Sequence, residues 1–431
     1  MRRWMMNEFG KKNRRSFLKG MGVAGAMASG LLPARAQEPL NEFLQSPRRG
    51  NWDDQFDAVG TRSPEVKTRQ PILSPATASY VEQAIFTYRD IVARGGWPQV
   101  NLTQRLKVGS SDPAVRQLRR RLIISGDLPR NSGDSQVFDT FLDAAVKRFQ
   151  QRHGMPADGV IGTVTLAALN VSASTRLGQL ETNLVRLRSM SGYLGDRYVM
   201  VNIPAAEIEA VENGRVAQNH KAIVGKVDRQ TPILNSNIYE VILNPYWTAP
   251  KSIIQKDIIP LMRKDPTYLT RNSIRLFDQQ GNEVPPELVD WSTDEALTMN
   301  LRFRQDPGKI NAMSSTKINF QNPHAVYMHD TPQQSIFGQL LRFESSGCVR
   351  VHNVRELSSW LLRDTPGWNR SQIEAVISTG ENTEVQLAAP VPVYFVYISA
   401  WSTGDGVVHF RDDIYGRDGV DELQLSSTTT L

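Results

Sequence analysis

From Pro75 to Gly96 the apolar residues return every three or four positions: Val81, Ala84, Ile85, Tyr88, Ile91 and Val92. That spacing lines one face of a helix, and Gly95-Gly96 ends it. The same period recurs between Leu106 and Val171. Ser111-Asp112-Pro113 opens a helix whose face is Val115, Leu118, Leu122 and Ile123, with proline near the first turn where it is tolerated. Phe141, Ala144, Ala145, Phe149 and Gln150 mark a second helix, and Thr163 to Leu169 a third. His153-Gly154 and Asp158-Gly159 break the chain between them. Thr175 to Gly192 repeats the helical period through Leu177, Leu180, Leu184 and Leu187. The period then shortens to two. Strands are predicted at 198–203, 221–225, 238–243, 317–320, 326–328 and 393–401. Residues 252–306 interrupt this β pattern with helical and polar stretches, so they are expected to be an insertion that caps a β domain.

The first 36 residues carry a different pattern. A basic start contains Asn13-Arg14-Arg15-Ser16-Phe17-Leu18-Lys19, a mildly apolar run follows from Gly20 to Leu32, and Pro33-Ala34-Arg35-Ala36 closes it. That order predicts a signal peptide cleaved after Ala36. The paired arginines resemble a twin-arginine signal, which implies export to the periplasm. The apolar run is too short for the roughly 20 residues of a spanning helix, and no later segment is long and apolar enough to span. This segment also accounts for the charge. Eight Lys/Arg and one Glu give it +7, so the whole chain's +6 leaves −1 for the rest. The electrostatic argument for a nucleic-acid partner is gone. Residues 37–73 are polar and without period, and are expected to be a mobile leader.

An exported chain sharpens the meaning of its single cysteine, Cys348. Cysteines usually pair in an oxidising compartment, and one alone cannot pair within its chain. It is an intermolecular link, a buried hydrophobe or a reactive thiol. Its surroundings favour the last. Cys348 follows Ser345-Ser346-Gly347 and opens the alternation Val349, Val351, while His329-Asp330-Thr331 follows the apolar run Ala325 to Met328. Both residues are thus predicted at strand ends. A histidine can take the thiol proton, and the amides of Gly347 and Cys348 are candidate oxyanion donors, which together suit acyl transfer. His324, five residues before His329, falls on the opposite face of an uninterrupted strand and reads as structural. His352 shares the face of Cys348 if the chain stays extended, and so does Arg350. A zinc site built from Cys348, His352, His329 and His324 has no tightly paired spacing, so no metal is assigned.

Tyr327-Met328-His329-Asp330-Thr331-Pro332, followed by Ser345-Ser346-Gly347-Cys348-Val349-Arg350-Val351, resembles the signature of the L,D-transpeptidases with a YkuD-like fold. Asn244-Pro245-Tyr246-Trp247-Thr248-Ala249-Pro250 and Arg304-Gln305-x-Pro307-Gly308-x-x-Asn311-Ala312 resemble the long periplasmic members with a cap insertion. Ala400-Trp401 and Asp413 to Asp418 resemble their C-terminal strands. Val115-Arg116-Gln117-Leu118-Arg119, Ala145 to Gln150 and Asp158-Gly159-Val160-Ile161-Gly162 resemble a peptidoglycan-binding module of three helices. The resemblance implies that Cys348 is the nucleophile, His329 the base, Asp330 its orienter through the backbone carbonyl, and Gly347 part of the oxyanion hole. It also implies that Arg350, Tyr327, Ser346 and Trp247 line the substrate site. The donor and acceptor would be peptidoglycan tetrapeptide stems, the product a 3→3 cross-link, and carbapenem β-lactams the inhibitors. No cofactor is implied. Many members carry histidine where Ser346 stands, and often Leu-Gly where Met313-Ser314 stands. The same thiol would serve an L,D-carboxypeptidase or a protein-to-peptidoglycan ligase, and a non-catalytic wall-binding protein stays open.

The expected architecture is therefore α+β. Helical scaffold occupies 74–105 and 172–195, the three-helix module 106–171, and a β-rich catalytic domain 196–418 with its cap at about 252–306, followed by a tail at 419–431.

Overall fold

The computed structural model describes residues 69–419 apart from 103, 191, 193 and 294. The predicted signal peptide, most of the leader and nearly all of the tail lie outside the described residues. The leader's last residues are packed, contrary to the expected boundary at 73. Ile72 and Leu73 are buried. The Ile72 amide donates to Glu209 at 2.9 Å and Leu73 O accepts from the Tyr198 hydroxyl at 2.6 Å.

Helix α1, Pro75–Ala93, starts where the Ser74 side chain accepts from the Thr77 amide. Helices α2 (Ala114–Ile124), α3 (Thr140–Arg152) and α4 (Thr163–Asn170) form the module. Its core is Leu106, Val115, Leu118, Leu122, Phe138, Leu142, Phe149 and Leu169 among others. Phe141 was expected on the buried face but is exposed, and Leu142 takes that place. The Phe-Gln and Asp-Gly pieces of the module's motif meet through Gln150. Its amide donates to Asp158 at 2.8 Å and accepts from the Gly159 amide at 2.9 Å. Arg152 pairs with buried Asp127 and donates to Val408 O at 3.1 Å, which ties the module to the β domain. Helix α5, Ala173–Met190, packs beside α1.

The β domain runs β1 (Arg197–Asn202), β2 (Glu207–Glu212), β3 (Arg215–Gly225) and β4 (Leu234–Leu243). The cap follows with β5 (Trp247–Thr248), a helical stretch that includes a π-helical turn at Ile254–Ile258, β6 (Ile274–Phe277), β7 (Glu283–Val284) and β8 (Arg302–Gln305). Then come β9 (Thr316–Phe320), β10 (Met328–His329), β11 (Phe343–Ser345), β12 (Val349–Val351), helices α6 (Val354–Leu362) and α7 (Arg370–Thr379), β13 (Thr383–Val396), β14 (Ala400–Ser402) and β15 (Val408–Phe410). Nine strands order as β11-β3-β12-β10-β9-β4-β13-β1-β2, and β2 also pairs β3, so the sheet closes on itself. One face supplies Val199, Val201, Val241, Ile318, Met328, Val349 and Val351 to the main core under α6 and α7. The alternating residues Tyr198, Met200 and Val396 point the other way and pack on α1 and α5.

The cap forms its own four-stranded sheet, β5-β8-β6-β7, over a core of Ile254, Ile258, Leu269, Leu276 and Phe303. The motif residues at its base are structural. Asn311 is fully buried and donates to Pro245 O and Asp306 O. Asn244 donates to Val376 O and Glu381 O. Ser314, where the resemblance leads to the expectation of a glycine, adopts φ +48°, a conformation that is sterically costly for a residue with a Cβ. Asp413 to Asp418 is a turn and not the expected strand. Asp413 accepts from Tyr397, Arg417 N and Asp418 N.

Candidate active site

Strands β10 and β12 are parallel neighbours, with Met328 opposite Val349 and His329 opposite Arg350. Val349 N donates to Tyr327 O at 3.1 Å, which carries the register one residue further. Since Met328, Val349 and Val351 are buried in the core, the alternating residues Tyr327, His329, Cys348 and Arg350 share the other face. The sheet register, more than any single motif, brings the candidate nucleophile and base together. They sit diagonally on adjacent strands, and no hydrogen bond joins Cys348 to His329 among the described contacts.

His329 is buried, and its Nδ1 lies 2.5 Å from the Asp330 carbonyl oxygen. A carbonyl only accepts, so Nδ1 carries the proton and Nε2 is left as the basic nitrogen. Burial, then the nearby Arg350 charge, pushes the imidazole down to about 3, so it is neutral at working pH. The Asp330 carboxylate does not touch the ring. It accepts from Ser315 Oγ at 2.7 Å, Thr331 N at 2.8 Å and Gln334 at 3.0 Å, which fixes the carbonyl that holds the imidazole.

Burial pushes the Cys348 thiol up. The polar groups of nearby Tyr327, and the charges of Lys317 and Arg350, oppose that. Trp247, half-buried at the root of the cap, lies near enough to Tyr327 to oppose the rise that burial imposes on its phenol. Arg350 is half-buried and has no hydrogen-bond or ion-pair partner among the described residues.

The turn before the thiol is braced from below. Gly347 has φ +110°, a conformation L side chains rarely adopt, and a Cβ there would lie 3.4 Å from Gln230 O. Ser345 Oγ donates to Cys348 O at 2.5 Å and accepts from the Gly347 amide at 3.2 Å. The Gly347 amide is thus engaged within the turn, and no acceptor for the Cys348 amide is found among the described residues. Thr231 Oγ1 donates to Gly347 O at 2.9 Å, and Tyr415 in turn holds Thr231 N and Gly225 O. Ser346 is exposed and accepts from Arg229 at 2.9 Å. Arg229 also grips Asp257 of the cap's π-helical turn at 2.6 and 3.0 Å. The turn before Cys348 is therefore tied to the cap through Arg229.

The other histidines stand apart. His324 is exposed in a turn, because the strand holds only Met328–His329, so the opposite-face argument does not apply to it. His352 has left the strand and packs on Phe337 with ring centroids 5.0 Å apart. Among the described residues no group of three or more His, Cys, Asp or Glu side chains could hold a metal. Sequence reasoning missed Lys317, Thr231, Arg229 and Asp257. Only Lys317 carried a signal, as a lone charge inside a predicted strand.

Comparison with known proteins agrees with this layout. Residues 196–383 match the YkuD family, described as "L,D-transpeptidase catalytic domain". Residues 111–169 match a family described as "Putative peptidoglycan binding domain". A protein of Haemophilus influenzae named "Putative L,D-transpeptidase" is 34% identical over 241 residues, 56% of this chain and 48% of its own length. The chain thus spans about half of that relative. An N-acetylmuramoyl-L-alanine amidase of Mycobacterium tuberculosis is 37% identical over 81 residues, 17% of this chain and 20% of its own. The solved L,D-transpeptidase of Stackebrandtia nassauensis is 14% identical, with 69% of this chain and 96% of that one covered, at a TM-score of 0.26, too low to carry argument. Residues 196–383 are a YkuD-type L,D-transpeptidase catalytic domain, joined in one chain to a peptidoglycan-binding domain at 111–169.

Proposed function

We propose that this chain is an exported periplasmic enzyme that cross-links peptidoglycan stems through a cysteinyl acyl-enzyme. The observation that carries the reading is the shared face of β10 and β12, where Cys348, a neutral and oriented His329, Tyr327 and an unpartnered Arg350 lie together. His329 Nε2 takes the thiol proton as sulfur attacks the carbonyl between diaminopimelate and D-alanine of a tetrapeptide. The Cys348 amide faces the developing oxyanion. The imidazolium gives its proton to the departing D-alanine amine, leaving a thioester. The amine of a second stem then attacks, passes a proton to His329, and frees the thiol with a 3→3 cross-link. Arg350 meets a stem carboxylate as a charged fork, and Tyr327 and Trp247 wall the groove. Carbapenems acylate the same sulfur. The twin-arginine signal supplies the route to the wall, and the module at 111–169 holds the enzyme there.

The test is mass spectrometry of the folded protein with purified disaccharide-tetrapeptide, beside Cys348→Ala. Cross-linked dimer short of one D-alanine, absent in the variant, is the expected result. Tripeptide alone makes the enzyme a carboxypeptidase. No Cys348-dependent change, with no mass gain from a carbapenem, leaves a wall-binding protein and overturns the proposal.

A further inference from the structure

Strand β9 pairs antiparallel with β10, placing Lys317 opposite His329 and Ile318 opposite Met328. Ile318 belongs to the core, so Lys317 shares the face of Cys348 and His329. The row across three strands is Arg350, His329, Lys317. Lys317 Nζ stands 4.6 Å from the centroid of the Tyr327 ring, and Lys317 and Tyr327 both act electrostatically on the Cys348 thiol. The side chain is half-buried and its ammonium has no hydrogen-bond or ion-pair partner among the described residues. A half-buried cation without a partner is costly unless an anion comes to it.

A charge deficit at the thiol says which anion. In a thiolate–imidazolium pair the ring carries the compensating charge. Here the ring is buried beside two cations and stays neutral. A thiolate on this face has only Lys317 and Arg350 to face it. We infer that Lys317 is a positioning residue that lowers the cost of ionising Cys348 when His329 Nε2 takes its proton, acting across the face of Tyr327. This rests on Cys348 being the nucleophile of the proposed reaction.

The other charged or titratable groups are few. They are Tyr327 just before β10, His329 on β10 and Arg350 on β12, with Glu344 of β11 beside Arg350. Glu240 of β4 and Glu384 of β13 act on Lys317. Glu240 is already held by Asn319 and Gln386, both at 2.5 Å, and makes no ion pair with the lysine among the described residues. Arg229 and Asp257 satisfy each other at the cap.

The experiment measures the rate of Cys348 alkylation by iodoacetamide in the full-length protein from pH 6 to 10, read by intact mass. Lys317→Met is expected to move the rising limb upward by about one pH unit, so that alkylation at pH 7 falls about tenfold while the slope of the limb is kept. Lys317→Arg restores the wild-type limb. Superimposable profiles for wild type and Lys317→Met overturn the inference. So does an equal loss at every pH in both variants, which makes Lys317 a packing residue. Alkylation needs no wall substrate, so a failure of cross-linking leaves this result readable by itself.

Discussion

Thr231 offers the sharpest test of how the nucleophile turn is held. It is fully buried, and its Oγ1 accepts from the Gly225 amide and donates to the Gly347 carbonyl, both at 2.9 Å. Thr231→Val keeps the shape and removes both bonds. Water cannot easily replace the hydroxyl. A Cβ on Gly225 would come within 2.2 Å of Arg229 O and 2.6 Å of Thr231 N, which shows how closely the two segments are packed. Each orphaned backbone group costs about 1–3 kcal/mol, so the turn loses about 2–6 kcal/mol. Every 1.4 kcal/mol is about tenfold, which predicts at least tenfold faster amide exchange across 345–348. Hydrogen exchange is the right readout because it reports on the turn itself, whereas an unfolding midpoint reports on the whole chain. Carbapenem acylation of Cys348 is expected to slow in parallel, since the sulfur rides on this turn. Thr231→Ser keeps the hydroxyl and loses one methyl, at about 1 kcal/mol, and raises the exchange rate by about fivefold at most. If Thr231→Val exchanges within threefold of wild type, the Gly347 carbonyl is not held as described and the bracing argument fails.

Three further outcomes follow from the same structure. Because Cys348 is raised by burial and His329 stays neutral, wild-type alkylation rises steadily from pH 6 towards pH 9, whereas a rate flat over that range means a resident ion pair. His329 and His409 at about 3 and His220 at about 4 lie below the unfolded value of 6.5, so the unfolded chain binds more protons there and stability falls as pH drops below 6.5. Glu209, raised by burial to about 8, acts oppositely as pH rises from 4.5 to 8, so thermal stability peaks near pH 6.5. Glu209→Gln removes the decline above the peak; stability rising continuously to pH 8 contradicts the Glu209 assignment, and stability that does not fall below pH 6.5 contradicts the histidine one. Arg229→Ala cuts the tie between Ser346 and Asp257, so exchange in the π-helical turn Ile254–Ile258 accelerates while β9 and β10 keep their protection. Unchanged exchange there means the cap is held by other contacts.

Much of this site was legible because strand alternation is a local signal. Val349 and Val351 are apolar, so Cys348 and Arg350 face the other way, and Met328 sets the facing of Tyr327 and His329 in the same manner. The helical faces of the scaffold and module were equally plain, since a helix buries residues three and four apart wherever it packs. The misses have a common cause. Phe141 matched the helical period but a short helix turned Leu142 inward instead. The strand expected at 326–328 shrank to Met328–His329, with Asn322 tying the loop by accepting from His324 N and Val326 N. Side-chain clamps of this kind redirect the backbone without altering the apolar pattern.

What sequence could not supply was register. Lys317 meets His329 only because β9 runs antiparallel to β10 with that offset, and a slip of one residue would have put Ile318 at the site and the lysine in the core. Thr231 and Tyr415 reach the nucleophile turn from loops 116 and 68 residues away in the chain. Their hydroxyls look like any others until the fold brings them to Gly347 and Gly225. Asp257 sits in an insertion whose order no periodicity announced, yet it shares Arg229 with Ser346. The candidate nucleophile and base were therefore readable as types, from a lone thiol and a strand-end histidine. Their protonation was not. It follows from burial and from two cations placed by the sheet, which keep His329 neutral and leave the charge on sulfur to be met from β9 and β12.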